Sequence, residues 1–198
     1  PYAVLYKDGL LSLQAGSDTD PSHGEVLGKW AWDGSSSPWY DKRARVRSVV
    51  ARDRVAVSIG SGMFGYLANC RSMDLSKLDV SRATNFSSMF SGCSSLRSLD
   101  VSGWDVSNAT DLGIMFEGCS SLNSVTLGAG CGLLVGELPS GPWYDAEGKQ
   151  YNRPPAGVAG TFTKTKPAVL ALAADGVSDA DALPLAQIVE GEQDGLRY

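Results

Sequence analysis

The pair Met63-Phe64 returns as Met89-Phe90 and again as Met115-Phe116, each time 26 residues further along the chain. The period extends beyond the pairs: residues 63–88 laid on 89–114 without a gap share 11 of 26 positions, and residues 89–102 laid on 115–128 share 8 of 14. A period of this length constrains the fold more than any composition can. One such unit cannot bury its apolar side alone, so successive units must stack and share a core.

Within each unit a segment has apolar residues spaced LxxLxL: Leu96, Leu99 and Val101, then Leu122, Val125 and Leu127, preceded by Cys70, Met73 and Leu75. A weaker copy, Val46, Val49 and Ala51, lies 24 residues before these. Alternate residues of a strand face opposite sides, so Leu99 and Val101 point inward while Ser98, Asp100 and Ser102 point out. The spacing predicts parallel neighbouring strands near 46–51, 70–75, 96–101 and 122–127. Runs such as Thr110-Asp111 to Glu117-Gly118 carry a helix-start acceptor and a terminal Gly, which predicts short helices over 85–91 and 111–117. The expected fold is therefore α/β: a short leucine-rich-repeat solenoid of 26-residue strand-arc-helix units with β-hairpin caps at both ends. Asp8-Gly9 between two apolar runs marks the N-terminal hairpin, and Trp143-Tyr144 to Tyr151 the C-terminal one, with 160–163 as a closing strand. The expected divisions are an N-terminal β cap over 1–45, repeats over 46–128, a C-terminal β cap over 129–163, and a linker or further module over 164–198, where the composition turns to Ala, Pro and acidic residues.

The string from Met89-Phe90-Ser91-Gly92-Cys93 through Trp104-Asp105-Val106-Ser107-Asn108-Ala109-Thr110 closely resembles the repeat of the BspA-like leucine-rich-repeat bacterial surface proteins. The resemblance is strong over 63–128 and extends to the flanking segments. The first unit departs from it, with Leu67 where Cys93 and Cys119 stand and Cys70 where Leu96 and Leu122 stand. The resemblance implies a secreted or cell-surface location and adhesion to host proteins, glycans or other microbes. It brings no catalytic residue with it.

Charge narrows the partners. The 17 Lys and Arg against 22 Asp and Glu leave a net charge of −5, which argues against nucleic acid, whose binding rests on phosphate neutralisation. One basic run interrupts this: Lys42, Arg43, Arg45, Arg47, Arg52 and Arg54. It reads as a solvated face. No apolar stretch of about 18 residues offers a membrane span. The start at Pro1, without a Met or a signal peptide, predicts a piece of a longer protein whose targeting signals lie elsewhere. The four cysteines, Cys70, Cys93, Cys119 and Cys131, have neither zinc nor disulfide-scaffold spacing, so they read as small core residues, with Cys93 and Cys119 stacked beside Phe90 and Phe116.

The chemical motifs give way to plainer readings. Gly60-Ser61-Gly62-Met63-Phe64-Gly65 has the outline of a dinucleotide loop, with Asp79 further on, but the repeat register assigns Met63 and Phe64 to the core and leaves no room for a crossover helix. A hydrolytic triad needs a positioned base. The chain's one histidine, His23, lies in a polar Pro-Ser-His-Gly turn. Asp74 with Asp100, and Asp79 with Asp105, stand one unit apart and could hold a cation, but as repeat positions they read as turn caps. The expectation is a non-enzyme without a cofactor or metal: an interaction module for a protein or glycan ligand on host or microbial surfaces, or else a spacer presenting another domain. Candidate ligand contacts are Trp32 and Trp39, among Gly, Ser and Pro where an exposed ring would suit a sugar or protein although packing within the cap is the favoured reading, together with Asp74 and Asp100 on the outward strand face. The aromatic residues are expected to matter more than the aspartates.

Overall fold

The computed structural model describes residues 2–16, 24–29 and 37–168. Its strands are β1 (Tyr2–Tyr6), β2 (Leu10–Gln14), β3 (Gly24–Lys29), β4 (Ser48–Ala51), β5 (Val55–Ala56), β6 (Ser72–Asp74), β7 (Leu78–Asp79), β8 (Ser98–Val101), β9 (Ser124–Leu127), β10 (Trp143–Tyr144), β11 (Gln150–Tyr151) and β12 (Gly160–Thr163). They form three sheets: β3-β1-β2-β4-β6, β11-β10-β12-β9-β8, and the pair β5-β7.

This overturns the α/β expectation. Over the described residues the protein is mostly β-sheet, divided among three sheets, and not a leucine-rich-repeat solenoid. Its helical segments among the described residues are two 3-10 stretches, Tyr40–Arg45 and Ala129–Glu137. Residues 85–91 and 111–117, expected as helices, are consecutive turns.

The backbone hydrogen bonds give the reason. The amides of Phe86, Ser88, Phe90 and Gly92 donate to the carbonyls of Asp111, Gly113, Met115 and Glu117, each 25 residues ahead. Those of Gly60, Gly62, Phe64 and Tyr66 donate likewise to Asn85, Ser87, Met89 and Ser91. The intervening amides of Met89, Ser91 and Cys93 close three-residue turns onto Phe86, Ser88 and Phe90. Every second amide thus serves the next unit, so an α-helix, which would keep all of them within the segment, cannot form. Left-handed residues recur to permit this path: Gly62, Ser88 and Ile114 at one level, Tyr66, Gly92 and Gly118 at another. The local sequence, rich in Ser and Gly, is also poor in helix formers.

The core runs along the stack. Trp39, Phe64, Phe90 and Phe116 form a column of rings with centroid separations of 6.3, 5.8 and 5.5 Å and nearly parallel planes. The Sγ–H of Cys93 donates to the Phe64 carbonyl and that of Cys119 to the Phe90 carbonyl, both at 3.1 Å, so each thiol ties its unit to the one before. All four cysteines are buried and unbridged.

At the N-terminal end, β1 and β2 form an antiparallel hairpin in register Leu5↔Leu11. Gly9 closes its turn at φ +90°, and a Cβ there would lie 2.5 Å from the Arg45 carbonyl oxygen. β2 then runs parallel to β4, and β4 to β6. At the other end, β8 runs parallel to β9, and β12 covers β9 antiparallel with Phe162 opposite Val125. Between β6 and β8 no ladder forms, because they belong to different sheets. The four expected strands are therefore two parallel pairs, not one continuous row.

Candidate binding face

The break between β6 and β8 opens a cleft of about 410 Å³, lined by Asp74 and Ser76 on one side, by Asp100, Ser102 and Gly103 on the other, and by Trp104. The walls are built by local hydrogen bonds. Asp74 Oδ1 accepts from the Ser76 amide at 3.1 Å and from its hydroxyl at 2.7 Å. Asp100 Oδ1 accepts from Ser102 in the same way, at 2.9 and 2.7 Å. Such Asx turns fix a carboxylate against its own backbone two residues on. The Ser76 hydroxyl, then its amide, holds the Asp74 carboxyl below the usual carboxylate range.

The same device recurs at the next turn. Asp79 Oδ1 accepts from Ser81, while its Oδ2 accepts from Arg54 at 2.7 Å. The Ser81 hydroxyl and the Arg54 guanidinium together hold Asp79 down to about 2. A hollow of about 310 Å³, lined by Arg54, Ser76, Lys77, Asp79 and Gly103, adjoins the cleft through Ser76 and Gly103. Trp104 Nε1 is buried without a hydrogen-bond partner, which is uncommon for an indole donor.

Of the candidate contacts read from sequence, Asp74 and Asp100 are exposed and stand on opposite walls of this cleft. Trp39 is a correction. It is only 1% exposed, stacks on Phe64, and donates its Nε1–H to the Met63 carbonyl at 3.2 Å, so it caps the aromatic column and offers no ring to a ligand. Trp32 lies outside the described residues, as do His23 and residues 169–198 of the expected terminal segment. The glycine loop is occupied by the fold itself: the amides of Gly60 and Gly62 donate to the carbonyls of Asn85 and Ser87, and so do not face a pyrophosphate. No group of three or more His, Cys, Asp or Glu suited to a metal ion occurs among the described residues.

The basic run is largely paired. Lys42 and Arg45 both bond Glu25, at 2.8 and 3.0 Å. Arg43 lies over the Tyr40 ring, Arg52 over that of Tyr6, and Arg54 holds Asp79.

The cleft itself was not foreseen, because the two units flanking it repeat the same strand pattern, Arg71-Ser72-Met73-Asp74-Leu75-Ser76 and Arg97-Ser98-Leu99-Asp100-Val101-Ser102. The available signal was Trp104 in the position of Leu78. The larger ring lines the opening, and the short ladder β5-β7 does not continue through Trp104-Asp105.

Residues 41–127 match a family described as "Mycoplasma protein of unknown function, DUF285". The match spans the repeats and covers under half of the chain. No curated protein matches, and no solved structure does.

Proposed function

We propose that this chain is a non-catalytic interaction module of a bacterial surface protein, which holds a glycan or protein ligand at the cleft between β6 and β8. The observation that carries this reading is the cleft's construction. Two carboxylates and two serine hydroxyls converge on it from neighbouring units, already fixed by Asx turns, so little side-chain freedom is lost on binding. Each aspartate keeps its Oδ2 for a ligand donor, and Trp104, only 4% exposed, supplies a narrow apolar edge to the wall. The resemblance to BspA-like surface proteins supports the same class of role. The alternative, a spacer that presents another domain, is favoured by the strand face outside the cleft: Ser48, Ser72, Ser98 and Ser124 are small and polar and form no packed aromatic anchor of the kind that dominates protein interfaces.

Gly103 separates the two readings. A Cβ there meets nothing within 4 Å, so Gly103→Phe starts a ring from open space at the cleft mouth, with circular dichroism checking that the variant is folded. Immobilised chain is tested against mucin, extracellular-matrix proteins and purified glycans. Capture of at least one of these is expected, with loss of at least about tenfold in affinity in Gly103→Phe, since the polar groups of the cleft are then blocked. No capture of any member leaves the spacer reading. Capture that Gly103→Phe does not weaken moves the site elsewhere.

A further inference from the structure

The two x positions at the head of each LxxLxL segment read Arg47-Ser48, Arg71-Ser72 and Arg97-Ser98, with Asn123-Ser124 completing the series. Folding brings these distant dipeptides into register. Ser48 pairs with Ser72 and Ser98 with Ser124. The Arg71 amide donates to the Arg47 carbonyl at 2.8 Å, and the Asn123 amide to the Arg97 carbonyl at 3.0 Å. Across the ladder break, the Ser94 hydroxyl donates to the Ala68 carbonyl at 3.3 Å, three residues before Arg97 and Arg71 respectively. Three arginines thus stand at one level of three consecutive units. All three are exposed, and among the described residues none takes part in an ion pair, a side-chain hydrogen bond or a ring contact. This sets them apart from Arg43, Arg45, Arg52 and Arg54.

We propose that Arg47, Arg71 and Arg97 form a row that binds a linear anionic glycan laid across the strands. The assignment rests on the reading of this chain as an interaction module and names a ligand class for it. Arg47 and Arg71 precede the paired strands β4 and β6, about 4.8 Å apart, and like charges at that spacing repel; Arg97 follows across the ladder break. An anionic chain running along the row removes the repulsion and takes up three guanidinium forks, each matched to a sulfate or carboxylate. The serine beside each arginine offers a hydroxyl for the sugar hydroxyls between the anionic groups. Asp74 and Asp100, on the strand face of Ser72 and Ser98, lie three residues further along the chain from Arg71 and Arg97, about 10 Å away and beyond the roughly 8 Å screening length at physiological salt. The basic end therefore keeps its own potential despite the net charge of −5. A protein partner would need aromatic or apolar anchors, and a single-stranded nucleic acid would need rings to stack on. The outward positions of β4, β6, β8 and β9 hold no aromatic residue.

The test measures binding of the intact chain to immobilised heparin, to uncharged dextran and to polyglutamate. Heparin is expected to hold the chain in a salt-sensitive manner and dextran not to. Arg71→Ala with Arg97→Ala is expected to weaken heparin binding by at least about tenfold, the loss of two charge-assisted contacts. Arg82→Ala with Arg153→Ala, which removes the same charge from exposed arginines off the row, is expected to change it by less than about twofold. Absence of heparin binding, equal loss in both double variants, or polyglutamate held as tightly as heparin overturns the assignment. Circular dichroism confirms that the variants are folded. Heparin binding that survives Gly103→Phe but not Arg71→Ala with Arg97→Ala supports the row even if the cleft takes no ligand. Panel capture lost in Gly103→Phe without any heparin binding removes the row and leaves the cleft.

Discussion

The aromatic column makes a quantitative claim, because its members are equally buried and differ in how many rings they meet. Phe116 has one ring partner, Phe90 at 5.5 Å; Phe64 has two, Trp39 at 6.3 Å and Phe90 at 5.8 Å; Phe90 has three, Phe64, Phe116 and Trp104 at 6.2 Å. Each is no more than 3% exposed, so replacement by Leu removes nearly the same apolar area at all three sites. The transfer and volume costs, usually below about 1.5 kcal/mol for such a swap, cancel in the comparison. The ring pairs do not cancel. At about 0.5–1.5 kcal/mol per pair beyond area, Phe116→Leu loses one pair, Phe64→Leu two and Phe90→Leu three. The expected order of destabilisation is Phe116 < Phe64 < Phe90, with Phe90→Leu costing about 1–3 kcal/mol more than Phe116→Leu. Urea unfolding followed by circular dichroism and tryptophan fluorescence measures this, provided that both probes coincide and the m-value is unchanged. Equal costs at Phe90 and Phe116 would show that the column is held by burial alone.

Gly128 approaches the preceding unit so closely that a Cβ would run into the Ser102 carbonyl oxygen; Gly128→Ala should lower stability by about 1–3 kcal/mol, while Gly103→Ala, in open space, should be nearly neutral in the same thermal melt. Burial pushes the Cys70 thiol up to about 12 and that of Cys119 to about 11, against about 8.5 in an unfolded chain. A raised folded value means that stability is complete below the unfolded value and falls as pH rises toward the folded one, by up to about 1.4 kcal/mol per pH unit for each thiol. Unfolding free energy should therefore decline between about pH 8.5 and 10, and less steeply when Cys70 and Cys119 are both Ala. A flat profile, or thiols that react with an aromatic disulfide reagent in the native state at pH 8, would contradict the buried placement.

The inward residues of the strand segments were legible because they depend only on neighbours in sequence. All twelve apolar positions of the four LxxLxL copies, from Val46 to Leu127, are buried; alternation within a strand accounts for the last two of each copy, and the first lies in the turn that leads into it. The turns at Asp8-Gly9 and around Gly148 could be read for the same reason: each needs a left-handed residue at one site, and Gly stands there at φ +90° and +78°. The supposed helices could not be judged in this way. Whether the Phe86 and Ser88 amides bond four residues back or 25 ahead is decided by the next unit's backbone, which no window around residue 88 contains. Ile114, a β-branched residue at φ +52°, shows how strongly the stack governs local geometry. It takes a conformation that costs such a residue about 1–2 kcal/mol, because its amide plane must follow the path set by Gly62 and Ser88 below it.

Charge obeys the same division between what lies near in sequence and what lies near in space. The basic run from Lys42 to Arg54 attracts notice because its members are close along the chain, yet the fold places Glu25, Tyr40, Tyr6 and Asp79 against five of them. Arg47 is the member left over. Its companions are not its neighbours in the run but Arg71 and Arg97, found 24 and 26 residues further on in turn. A stacked architecture converts the repeat period into adjacency, so its functional surfaces are written in columns across units. Read in columns, β6 and β8 carry an arginine just before the strand and an Asx-locked aspartate within it, whereas β4 has Val50 and β9 has Thr126 in the aspartate column. The Arg47 and Arg71 side chains, which precede paired strands, need no partner for the fold to form. They cost repulsion as they stand, and a ligand of opposite charge is what would recover it.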